Sequence, residues 1–119
     1  MAEISVLNEL EELLLASASL KEGESIPVQQ QDQVNRAYHD IGLLIENNAV
    51  VALSVHYCAL TALPGSIDQL TRLRELDLTG NRLTALPDSL GNLLHLQKLY
   101  LDGNQLATLP ETIRQLTNL

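Results

Sequence analysis

The sequence predicts an α/β fold: a short right-handed solenoid with a parallel sheet on its concave side and an α-helical cap at its N-terminal end. Three observations predict it. Residues 50–72, 73–95 and 96–118 are three copies of one 23-residue unit, and Leu119 opens a fourth. Each copy carries an apolar–polar–apolar triplet at the same place: Leu53-Ser54-Val55, Leu76-Asp77-Leu78 and Leu99-Tyr100-Leu101. A proline recurs in register at Pro64, Pro87 and Pro110. A fixed period of this size marks a stack of units, each burying its apolar side only against its neighbours.

The elements follow in chain order. Residues 3–20 read as an amphipathic helix, with Ile4, Leu7, Leu10 and Leu14 on one stripe, Leu13 beside it, and Glu9, Glu11 and Glu12 on the other side. Residues 21–27 (KEGESIP) carry glycine and proline breakers and read as a linker. A second helix is expected over about 28–46, with Val34, Tyr38, Ile41 and Leu44 or Ile45 on one face and Asn47-Asn48 ending it. Together, residues 1–49 are expected to form a helical hairpin covering the open end of the first coil. The alternative is an amphipathic docking or dimerising helix.

Within the repeats, the alternating triplets are expected to be short strands with Leu76 and Leu78, and their equivalents, pointing inward. Gly80 and Gly103 suit the tight turns that follow. Each Leu-Pro step bars helix before the proline and sets up the next turn. Residues 88–93 and 111–116 should be short helical or 3₁₀ segments on the outer side. Asn81 and Asn104 should point inward and bond backbone groups of adjoining coils, because a buried turn needs partners. Cys58 takes the same slot in the first copy.

The pattern LxxLxLxxNxLxxLPxxIxxL across residues 50–119 resembles the leucine-rich repeat. With its Leu-Pro followed by an aliphatic three positions on, it resembles the intracellular 23-residue class, which includes scaffolds of the Scribble kind, plant Ras-group repeat proteins and many bacterial repeat proteins. The resemblance implies a non-catalytic protein–protein interaction module. Solenoids of this kind usually bind through the exposed positions of the concave sheet. Here the candidates are Ser54, His56, Arg74, Glu75, Asp77, Thr79, Lys98, Tyr100 and Asp102. They fall in three lateral columns: Ala52-Glu75-Lys98, Ser54-Asp77-Tyr100 and His56-Thr79-Asp102. Gln97 flanks them with Arg74. Tyr100 is the expected anchor, since exposed aromatics dominate interface energetics.

The stop at Leu119 carries a second expectation. Either the chain is part of a longer array, or another copy covers its open end; in either case a homodimer or larger assembly is expected, joined near the third coil through Leu109, Ile113, Leu116 and Leu119. The alternative function is therefore structural self-assembly, a homo-oligomer through the C-terminal repeat with no foreign partner.

Composition narrows the classes. Residues 1–49 hold nine acids against Lys21 and Arg36, and residues 50–119 hold six acids against five bases, within a net charge of −8. That balance disfavours nucleic acid and anionic membrane, which need a basic footprint. No apolar run is long enough to span a bilayer, and no basic segment precedes an apolar one. The single cysteine excludes an intramolecular disulfide and suits a reducing compartment, so a cytoplasmic location is expected. No cofactor is expected, and the histidines and cysteine lack metal-ligand spacing. His56 with Cys58 matches a nucleophile–base pair by type only, since the cysteine belongs to the core turn. His39-Asp40 reads as helix surface, and the Gly-Asn steps are repeat turns rather than a phosphate loop.

Overall fold

The computed structural model describes residues 7–10 and 41–119. Its frame is one four-stranded sheet in the order β1 (Ile41–Glu46), β2 (Ala49–Val55), β3 (Glu75–Asp77), β4 (Lys98–Tyr100). β2, β3 and β4 run parallel, while β1 pairs antiparallel with β2, so the sheet is mixed. Three 3₁₀ helices close the coils: η1 (Gly65–Gln69), η2 (Asp88–Asn92) and η3 (Glu111–Gln115). Strands and 3₁₀ helices each recur at 23 residues. Each strand contacts the next strand, and each 3₁₀ helix the next 3₁₀ helix, as nearest-neighbour stacking requires.

The strand β1 corrects the expected helix over 28–46, at least for residues 41–46. Asn47 and Asn48 do not end a helix; they are the two-residue loop of a β-hairpin, with φ of 52° and 64°. A tight hairpin of this kind needs positive φ at both central residues, and asparagine tolerates it. Register slips between Leu44 and Ile45, where Leu44 faces Ala52 and Ile45 faces Val50, leaving Val51 as the extra residue of a bulge. Residues 28–40 of that helix, the linker 21–27 and most of the helix expected over 3–20 lie outside the described residues. Residues 7–10 are helical, and Leu10 is fully buried in the core with Leu7 packed against it.

The repeat chemistry is uniform from coil to coil. Pro64, Pro87 and Pro110 sit extended (φ −62°, −69° and −64°) and accept from the amides of Ile67, Leu90 and Ile113 at 3.1, 3.1 and 3.0 Å. Leu53, Leu76 and Leu78, with Leu60, Leu83, Ile67, Leu90, Leu70 and Leu93, form an aliphatic core that water does not reach. Asn81 holds the turn between the first two coils. Its Nδ2 donates to Val55 O (2.7 Å) and Leu78 O (2.8 Å), and its Oδ1 accepts from the amides of Cys58 and Leu60 (3.1 Å each). Asn104 repeats this one coil on, donating to Leu78 O and Leu101 O (2.9 Å each) and accepting from Leu83 N (3.1 Å). Buried turn amides and carbonyls are thereby paired across coils.

On the opposite side a second ladder runs through hydroxyl groups. Ser89 Oγ donates to Gly65 O at 2.6 Å, and Thr112 Oγ1 donates to Asp88 O at 2.7 Å. Ser66, in the same register, belongs to the first coil; its hydroxyl donates to Glu9 Oε2 at 3.0 Å. A carboxylate from the N-terminal helix thus occupies the place of the preceding coil's backbone carbonyl.

Candidate functional site

The face of the sheet away from the core carries the side chains that alternate with the leucines. Register places Ala52, Glu75 and Lys98 side by side, and Ser54, Asp77 and Tyr100 side by side. Exposure rises along both columns. Ser54 is 0% exposed, Asp77 5% and Tyr100 37%; Ala52 is buried, Glu75 half-buried and Lys98 exposed.

This gradient corrects the candidate list: Ser54, His56 and Asp77 are buried and offer no open surface. β2 is an interior strand, with Gly42 opposite Ser54 on one side and Asp77 on the other. Asp77 is turned onto its own neighbours. Its Oδ1 accepts from Thr79 N (3.0 Å) and Thr79 Oγ1 (2.6 Å), and its Oδ2 lies 2.6 Å from His56 Nε2. The His56 ring also meets the Tyr57 ring edge-on, with centroids 6.4 Å apart. Ser54 Oγ is buried and makes no hydrogen bond among the described residues.

What remains open is the C-terminal part of the face. Arg74, Lys98, Tyr100 and Asp102 are exposed, with Gln97 beside them, and Glu75 and Thr79 are half-buried. Lys98 Nζ approaches Glu75 Oε1 at 3.6 Å, and Arg74 Nη2 approaches Glu46 Oε2 at 2.8 Å. Among the four residues named for self-association, Leu109 and Leu119 are exposed and Ile113 is half-buried. Leu116 is the correction here: at 5% exposure it belongs to the core, just past the end of η3.

Among the described residues no nucleophile–base or metal-binding cluster emerges elsewhere. The Cys58 thiol donates to His56 O at 3.0 Å. Among the described residues no three His, Cys, Asp or Glu side chains converge as metal ligands, and no helix is long and apolar enough to cross a membrane. Sequence reasoning missed two features. One is the hydroxyl ladder at positions 66, 89 and 112, visible as Ser, Ser and Thr in one register. The other is a polar groove where the chain enters the parallel strands, lined by residues from all three coils and from the β1–β2 hairpin.

Stacked strand–turn–3₁₀ coils stitched by inward asparagines define a solenoid repeat protein. A family model for the leucine-rich repeat matches residues 48–106 and again 71–119. The chain belongs to the leucine-rich-repeat family. Among solved structures it is similar to a leucine-rich-repeat protein of Leptospira interrogans, with 36% identity and a TM-score of 0.60 over 70% of this chain. The match spans only 23% of that protein's length. No curated protein matches the chain. Leucine-rich repeats generally mediate protein–protein interaction and are typically non-enzymatic scaffolds.

Proposed function

We propose that the chain is a non-catalytic module that binds a protein partner through the exposed, C-terminal part of its sheet face. The observation that carries this reading is Tyr100. It is the one exposed aromatic among the described strand residues, flanked on β4 and the following turn by Lys98 and Asp102. A rigid aromatic with a polar tip beside charges of both signs is the usual composition of a binding hot spot. Glu75 and Thr79 extend the patch onto β3, and Arg74 and Gln97 border it.

A photo-crosslinking residue at position 100 tests the reading. It should capture a discrete protein in cells, and the same residue at Gln69, on the 3₁₀ side, should not. Equal or absent capture at both positions would refute it. A second reading, self-association through the third coil, is favoured by the half-exposed Leu109 and Leu119. Leu109→Lys should then lower the assembly state in sedimentation while Tyr100→Ala leaves it unchanged.

A further inference from the structure

The groove at the strand entrances is built from two ladders. Arg72, His95 and Asn118 stand in one register on successive coils, and Arg74 and Gln97 stand in another. The hairpin residues Glu46 and Asn47 close one end. The space is about 280 Å³. Parallel strands lie about 4.8 Å apart, so a ladder over three coils spans about 10 Å, the reach of a short peptide segment.

The lining is rich in donors. Two of the five basic residues of positions 50–119 face this groove, together with the amides of Asn47, Gln97 and Asn118. Asn118 Nδ2 is already committed to Leu94 O at 2.9 Å. Glu46 is the single acid of the lining, and it sits on Arg74 at 2.8 Å. That pair shows that a carboxylate fits against the Arg74 guanidinium. Its side chains are 44% and 39% exposed, so water reaches the pair and an incoming carboxylate competes with it at little cost. Arg72 has no acidic partner among the described residues. A planar guanidinium with its fork of donors is matched to carboxylates.

We infer that this groove is a binding site for an acidic peptide segment, with side-chain carboxylates seated on Arg72 and Arg74. The inference rests on the protein-binding reading and adds the partner's chemistry: an acidic stretch crosses the rim where the strands begin, next to the Tyr100 patch. Glu46 acts as an internal competitor, holding Arg74 until a partner carboxylate displaces it.

A fluorescently labelled tetraglutamate peptide, titrated against the full chain by anisotropy at low salt, tests the site, with tetraglutamine as the neutral control and inorganic phosphate as competitor. Wild type should bind tetraglutamate saturably and tetraglutamine not at all. The R72Q/R74Q double variant should bind about tenfold more weakly or worse, the loss expected for charge-assisted hydrogen bonds. Glu46→Gln should tighten binding by about two- to fivefold, the worth of an exposed pair. A misfolded variant cannot produce that gain. Tyr100→Ala should leave the affinity unchanged, so the groove is read separately from the neighbouring face. The site is overturned if wild type shows no saturable binding, if R72Q/R74Q matches wild type, or if Tyr100→Ala abolishes binding. Phosphate binding in preference to tetraglutamate would overturn the carboxylate assignment.

Discussion

The second and third coils are spelled almost alike, LRELDLTGNRLTALPDSLGNLLH against LQKLYLDGNQLATLPETIRQLTN, yet they are buried to different depths. Leu76, Leu78, Leu83 and Leu90 are completely inaccessible, while Leu99, Leu101, Leu106 and Ile113 are only partly covered. Leu86 is 7% exposed and its counterpart Leu109 is 50% exposed. The difference does not lie in the residues. Among the described residues the second coil has a stacked neighbour on both sides, and the third has one on its β3–η2 side. In a solenoid, burial and the stability it brings are properties of adjacency, and the same leucine is worth different amounts at different places in the stack.

Three matched pairs of substitutions sharpen or break that comparison. The largest effect is expected in the core. Leu78→Ala should cost about 3–5 kcal/mol, since it leaves a cavity walled on both sides, and Leu101→Ala roughly half of that. Urea denaturation measures both, and equal costs would mean that the third coil is covered as fully as the second. Next come the turn asparagines. Asn81→Leu should cost about 1–3 kcal/mol by orphaning the backbone groups of two coils, and Asn104→Leu should fall at the lower end of that range because its site is half-buried. An unchanged denaturation midpoint for Asn81→Leu would remove the asparagine ladder from the account. The smallest effect carries the comparison to the N-terminal side. Ser66→Ala should cost about 0.5–1 kcal/mol, and adding Glu9→Ala should cost little more, because the two groups share one bond. Additive losses in that double-mutant cycle would show that Glu9 does not stand in for a coil.

The sequence made the repeating parts of the molecule legible because identical residues face identical demands three times over. The leucine ladders, the proline steps and the inward Asn81 and Asn104 could all be read from their recurrence. The unrepeated parts were harder. Ile41–Ile45 is a short apolar run, and such a run fits one face of a helix as readily as a buried strand. The deciding signal was Asn47-Asn48, a dipeptide suited to positive φ, which marks a hairpin rather than a helix end. Ser54, His56 and Asp77 occupy polar positions of an alternating pattern, and alternation reports only which side of the sheet a residue is on. Whether that side is open depends on what packs over it, and for Asp77 on its bonds to Thr79 and its contact with His56. The groove residues Arg72, His95 and Asn118 share a register but not a chemistry, so no repeat consensus points to them.

One turn of the first coil ties two distant positions together. Tyr57 takes the place that Gly80 and Gly103 hold in the later coils, and adopts the same left-handed backbone, with φ of 53° against 75° and 72°. Its ring lies where a methyl group on Gly80 would have to go. A side chain at position 80 is therefore disfavoured on two grounds, the strain of its backbone angle and, more severely, its neighbour's ring. A change at 57 to a small residue would lift the second constraint but not the first. In a saturation-mutagenesis library, tolerance at 80 should open only in members that have already lost the tyrosine, which makes the two sites a heritable unit although 23 residues separate them.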